Sequence, residues 1–426
     1  MKISKLFFIG IFVGIILTSY SQQKIKKGIS FGAIPAISFD SDLGFQYGAV
    51  VNLYHYGDGS RYPSYNHSLY MEWSRYSKGS GINRIMYDSE QLIPQVRTTA
   101  DITYMTDQLM DFYGFNGYQS IYNDSLSKAT HHFYRNDRKM FRIKADFQSN
   151  FGQSHVGWVA GYSFYNFAID TVNITKLNLE PIAGGSLFQR YRQKGLINEN
   201  EAGDGSIHYL KLGLKYDTRD QRACPTKGIW TEAVIQWAPK LINALPHTKL
   251  AIIHRQYFRV ANDVLFAYRF DYQCTLGKDK VPYFAQPLLV TSILTGATNQ
   301  GLGGKATLRG ILRNRVVGDA VGFSNFEFRY KFIRFEMLKQ NFYIGTNAFL
   351  DAGMVFKPIA IAKILSIEDK KLLYLNNSDT DKMHASAGIG LKIGWNENFI
   401  ISADYGKAFN NQDGNSGIYI GLNYLF

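Results

Sequence analysis

Apolar and polar residues alternate along most of this chain. Over residues 417–426 (GIYIGLNYLF), Ile418, Ile420, Leu422, Tyr424 and Phe426 share one face, and Gly417, Gly421 and Asn423 the other. Over 385–395, Ala385, Ala387, Ile389, Leu391, Ile393 and Trp395 alternate with Ser386, Gly388, Gly390, Lys392 and Gly394. A period of two is the signature of a strand with unlike faces. Segments of about ten residues are the length a tilted strand needs to cross a bilayer. The pattern predicts sixteen strands, over 29–39, 43–54, 66–75, 81–91, 99–112, 139–150, 155–166, 207–217, 228–238, 249–260, 263–275, 321–333, 341–354, 385–395, 398–406 and 417–426.

The connections are unequal. The long polar ones, 112–139, 166–207, 275–321 and 354–385, each follow an odd-numbered strand and so fall on one side of the sheet. That asymmetry is the habit of outer-membrane barrels, and it predicts long extracellular loops over short periplasmic turns. The outward residues are Leu, Ile, Phe, Tyr and Trp, and the inward ones Gly, Ser, Lys and Asp. A soluble sandwich would have to pair a buried charge in every layer of such a core. The expected fold is therefore all-β, a 16-stranded antiparallel transmembrane β-barrel.

The single long apolar run, residues 6–17 (LFFIGIFVGIIL), follows Lys2 and Lys5 and precedes Ser19-Tyr20-Ser21. About 12 apolar residues are too few for a spanning helix, whereas a basic start, a short apolar core and small residues make a secretory leader. Residues 1–21 are expected to be a signal peptide, 22–28 a short periplasmic segment, and 29–426 the barrel, with the N-terminus periplasmic.

Composition then separates the remaining classes. The 426 residues are 15% aromatic and include 39 glycines, which fits aromatic girdles and close inward positions. Removing Lys2 and Lys5 with the leader lowers the net charge from +13 to +11. The cations are scattered, so they suit the lumen and an anionic lipid surface and no nucleic acid. Cys224 and Cys274 fall on opposite rims of the expected wall, too far apart to bridge, and two free thiols are expected. No HExxH, GxSxG or CxxC array is present, so no enzyme activity, metal or cofactor is expected.

Four motifs carry a family likeness. They are GGKATLRGIL at 303–312, YDTRDQRACPTKG at 216–228, GFSNFEFRYKF at 322–332 and NAFLDAGMVF at 347–356. Together, with a final Phe426, they resemble the barrel of the BamA/TamA outer-membrane assembly and two-partner-secretion translocator superfamily. The resemblance implies that loop 276–320 folds into the lumen, with its tip at Gly303, Gly304, Leu308, Arg309 and Gly310. It implies that Arg309 meets Glu327 and Asp351. Strand parity independently turns both acids inward, because Phe326, Phe328, Ala348 and Leu350 face out. Ile311 stands where the family usually has an aromatic residue.

Asp217, Arg219, Asp220, Pro225 and Gly228 form a short turn read as structural. Tyr424 and Phe426 resemble the C-terminal signal of barrel clients and are expected as outward interfacial aromatics. Too few residues precede the first strand for a client-binding POTRA domain, so a barrel-only member is expected. The implied role is insertion, assembly or translocation of proteins (or lipids) at the outer membrane. The implied partners are outer-membrane lipid and a separate periplasmic or lipoprotein factor, with the barrel itself monomeric. The alternative is a passive pore or structural barrel plugged by loop 276–320, its permeation tuned by Arg329, Lys392 and Asp404.

Overall fold

The computed structural model describes residues 27–61, 65–198, 201, 203–221, 224–291, 300–337, 340–361, 365–378, 380–395 and 399–426. The expected signal peptide, most of the 22–28 segment and part of the 276–320 loop lie outside the described residues.

The strands are β1 (Ile29–Pro35), β2 (Ser38–Asp40), β3 (Gly44–His55), β4 (His67–Tyr76), β5 (Ser80–Ile93), β6 (Val96–Asp111), β7 (Arg135–Asn150), β8 (Val156–Asp170) and β9 (Asp204–Asp217). They continue as β10 (Gly228–Ala238), β11 (His247–Ala261), β12 (Val264–Leu276), β13 (Ala320–Met337), β14 (Gln340–Lys357), β15 (His384–Trp395), β16 (Phe399–Ala408) and β17 (Ser416–Leu422). Each pairs antiparallel with its neighbours, and β17 meets β2 to close the ring. β1 and β2 are two halves of one staves-width, so the wall is the expected 16-stranded barrel. Pro35 ends β1 because it has no N–H to donate to the ladder.

The wall is inverted relative to a soluble core. Leu210, Leu212 and Leu214 are 45%, 66% and 56% exposed on the outside of β9, while the inward Lys211 between them is buried. Lipid covers the first set; the lumen must neutralise the second. It does so with ion pairs across neighbouring strands, such as Arg142 and Arg84 on Asp101 at 2.7 and 2.5 Å. Among the described residues no helix is long and apolar enough to cross a membrane; the strands cross it.

The largest apolar cluster is built by the long connections. Phe112, Tyr113, Phe115, Tyr134, Phe188, Tyr191 and Tyr283 pack together over the mouth on the long-connection side. The short helix Leu187–Gln193 presents Leu187, Phe188 and Tyr191 to that cluster, and a capping box of Ser186 and Gln189 fixes its start. Burial pushes the Tyr191 hydroxyl up to about 12.

Candidate functional site

The loop between β12 and β13 turns back into the lumen, where Leu302, Leu308, Ile311 and Val316 pack on Val321, Phe323 and Val355 of the wall. Its tip needs glycine. Gly303, Gly304 and Gly310 have φ of 112°, 78° and 87°, the left-handed region. A Cβ on Gly310 would lie 2.5 Å from the Gly406 carbonyl carbon, so the tip touches the β16 backbone. The Gly310 N–H donates to the Tyr419 hydroxyl at 3.1 Å.

This geometry delivers Arg309 to two wall carboxylates. Its Nε and Nη2 donate to Asp351 Oδ2 and Oδ1, both at 2.9 Å, in the bidentate fork that guanidinium favours. Its backbone N–H also donates to Asp351 Oδ2 at 3.0 Å, and Nη1 donates to Glu327 Oε1 at 2.6 Å. The guanidinium lies 3.5 Å over the Phe349 ring. Arg309, Glu327 and Asp351 are all buried. Burial opposes the Arg309 charge, but Asp351 and Glu327 outweigh it and hold the proton more tightly than usual.

Several partners were not foreseen. Glu327 also accepts from Arg329 Nε at 2.7 Å, and Lys392 Nζ donates to Asp404 at 2.7 and 2.8 Å. Arg329, Lys392 and Asp404 thus each have an ion-pair partner within the wall. Arg269 donates to the Ala306 carbonyl and Asn325 to that of Thr307. Arg313 donates to Asp111 on β6 at 2.6 Å. Arg315 donates to the carbonyls of Gln412, Gly117 and Ser120. Three arginines within seven residues of one loop were the available signal, since a buried loop has to find each of them an acceptor.

The closure of the ring is the second feature. β17 meets β2 through two residue pairs, Tyr419↔Asp40 and Ile420↔Phe39. On its other side the split first stave pairs with β3 through ten residue pairs, seven from β1 and three from β2, and the other neighbouring strands share from seven, in β16–β17, up to 17, in β13–β14. Ser41 adds contacts to the Ile418 backbone at 2.7 to 3.2 Å. Ile29–Pro35 pairs with β3 and has no pairing to β17.

Here the expectation for the last residues is corrected. The strand stops at Leu422, Asn423 takes a left-handed φ of 66°, and the chain turns into the lumen. Tyr424 and Phe426 are inside, not outward interfacial aromatics. The Arg329 guanidinium lies 4.2 Å over the Tyr424 ring, and its Nη2 donates to the Phe426 carbonyl at 2.8 Å. Phe426 packs against Tyr257 and Ala267. Asparagine tolerates this backbone state better than most residues, and alternation cannot register it, because side-chain order is unchanged when the whole segment swings inward.

Comparison with known proteins decides the family. The model of the Omp85 superfamily domain matches residues 19–426. The chain belongs to the Omp85 superfamily. Among solved structures, BamA from Haemophilus ducreyi lacking POTRA domains 1–3 is similar at 15% identity with a TM-score of 0.56. The match covers 93% of this chain and 70% of that one. CdiB from Escherichia coli is similar at 10% identity with a TM-score of 0.54, covering 93% of this chain and 63% of that one. These likenesses show the fold. No curated protein matches the sequence.

As an Omp85 barrel the chain belongs to the bacterial outer membrane. On the short-turn rim of this Omp85 barrel, Arg219 forks onto Asp217 with two contacts of 2.9 Å. Asp220 accepts the N–H groups of Gln221, Thr226 and Lys227 and the Thr226 hydroxyl. Burial works against the Asp220 charge, but these donors outweigh it and hold the carboxyl below its usual range. Gly228 has a φ of 103° and a Cβ there would meet the Arg219 Cα at 2.8 Å. Trp230 is stacked between Arg219 and Arg255, at 5.0 and 4.5 Å. Pro225 lines a cleft with Cys224, Arg329 and Tyr424. Cys224 and Cys274 are not joined by a disulfide.

On the opposite rim of the Omp85 barrel, His384 starts β15 and is fully buried. Its Nδ1 lies 2.6 Å from Asp413 and its Nε2 3.2 Å from both oxygens of Asp381. The Tyr118 ring stacks on it at 3.9 Å. Burial acts against the Asp381 charge, yet hydrogen bonds from His384, Val355 and Tyr118 prevail and lower its proton affinity. No sequence signal marked this cluster, because its members come from distant connections.

Proposed function

We propose that this Omp85 barrel takes part in insertion, assembly or translocation of proteins (or lipids) at the outer membrane, by parting the seam between its first and last strands. On this reading residues 1–21 are a signal peptide removed on export, and the N-terminus is periplasmic. Arg309 on Glu327 and Asp351 holds the lumen loop, and a separate periplasmic or lipoprotein factor delivers the client to a monomeric barrel.

The observation that carries the reading is the two-pair seam. Each backbone pair lost inside lipid leaves polar groups unsatisfied, so the joint with the fewest pairs opens at the lowest cost. The edge of Ile29–Pro35 is already without pairing to β17, and opening would extend it through Ser38–Asp40 into one free edge that can accept an incoming strand by backbone pairing. A passive pore plugged by the loop has no use for a weak joint.

The test is a disulfide across the seam, Phe39→Cys with Ile420→Cys, in a Cys224→Ser, Cys274→Ser background. In a deletion strain, the oxidised variant is expected to fail to restore the outer-membrane protein profile and the reduced one to restore it. Restoration by the oxidised form would favour the plugged pore.

A further inference from the structure

We propose that His384 is a proton-operated clasp on the outer mouth of the barrel: the doubly protonated imidazolium ties the outer connections together, and loss of one proton releases them.

The geometry carries this. Both ring nitrogens face carboxylates, Nδ1 at 2.6 Å from Asp413 and Nε2 at 3.2 Å from Asp381. A neutral imidazole has one N–H, so whichever tautomer forms, one lone pair points at a carboxylate oxygen. Only the imidazolium donates to both. The ring is fully buried, so no solvent is at hand to relieve the mismatch.

The groups facing the ring come from four segments. Asp381 belongs to the connection that leads into β15. Asp413 lies in the turn between β16 and β17. Tyr118, from the connection after β6, stacks on the ring and donates its hydroxyl to Asp413 at 2.5 Å. Arg315, from the lumen loop, places Nε 3.8 Å from Asp413. With the imidazolium, two cations face two carboxylates and the cluster is neutral. With imidazole, one buried negative charge is left over, a costly state.

The same residues hold the connections together. Asp381 accepts the backbone N–H of Tyr118 and of Val355, each at 2.9 Å. Arg315 grips the carbonyls of Gly117, Ser120 and Gln412. Removing the His384 proton therefore weakens a joint shared by three outer connections and the lumen loop, which opens the mouth without touching the Arg309 anchor or the seam.

Two measurements on the full-length barrel in lipid test the clasp. Nitrogen NMR of His384 at neutral pH is expected to show both ring nitrogens protonated; a single protonated nitrogen would overturn the proposal. Raising the pH from about 6 to about 9 is expected to speed exchange of the Tyr118 and Val355 amides roughly tenfold beyond their intrinsic pH dependence. His384→Gln should show the faster exchange at every pH while retaining heat-resistant barrel mobility on gels. Amide protection that is independent of pH in the wild type, or a pH profile that survives in His384→Gln, would also overturn it.

Discussion

Replacing Asp351 with alanine removes three of the four hydrogen bonds that Arg309 makes to the wall carboxylates: those from its backbone N–H, Nε and Nη2. Glu327 stays at 2.6 Å, and Phe349 stays under the guanidinium. Breaking a buried ion pair from one side costs about 3–5 kcal/mol. The surviving Glu327 puts this case near the lower end, at about 3 kcal/mol, or roughly a 150-fold loss in the docked-to-undocked ratio of the tip. The loss should be local, because Arg313 on Asp111 and Arg315 on three carbonyls hold the following turn independently. Native-state hydrogen exchange reads this directly. The Arg309 amide and its neighbours over 303–311 should exchange about a hundredfold faster, with 313–316 little changed. Arg309→Leu with Asp351→Leu should lose less than Asp351→Ala alone, since no partnerless charge is left at the tip. Unchanged exchange over 303–311 would refute the anchor. Equal acceleration over 300–319 would refute the independence of the three arginines.

Three further outcomes are expected. Gly310→Ala sets a side chain at a φ of 87° and against the Gly406 backbone, so it should displace the tip and lower the urea midpoint more than Asp351→Ala does. Trp230→Leu removes the surface between Arg219 and Arg255 and should cost about 1–2 kcal/mol in urea unfolding, with no change in tip exchange. Asp42, in the turn between β2 and β3, is raised to about 6 by burial and by Asp40, against the pull of Arg313. The folded state thus keeps a proton that the unfolded chain has released above about 4. Its contribution favours folding below about pH 4, and stability falls as the pH rises to about 6. The difference in urea midpoint between wild type and Asp42→Asn should change across that window and be flat above it.

What the sequence disclosed follows from what alternation encodes. A period of two reports which face of a strand looks inward, so Glu327 and Asp351 were legible as lumen residues before their partner was located. Arg309 was legible through the motif that contains it. The inward turn after Asn423 was not legible, because in and out keep alternating while the backbone itself leaves the wall. The His384 cluster was hidden for another reason. Tyr118 and Asp413 lie on two different connections and His384 at the start of β15, and the Tyr118–Asp413 contact spans 295 residues; no local pattern reports such a meeting. The break at Pro35 was half legible: the missing donor was plain, but not that Ser38–Asp40 alone would reach β17.

The lumen loop has a mechanical consequence. Arg309 is fixed to β13 and β14, and Arg313 to the end of β6. β6 and β14 stand eight staves apart either way round the ring, at opposite ends of a diameter. A closed hoop of strands resists stretching but ovalises readily, because each ladder bends at little cost. A chord pinned at both ends of a diameter removes that freedom along its own axis. Any flattening of the cross-section that draws the seam apart must then shorten or lengthen the chord, and so load Arg309 and Arg313 together. The loop is in this sense a spoke, with a guanidinium group holding it at each end of the diameter.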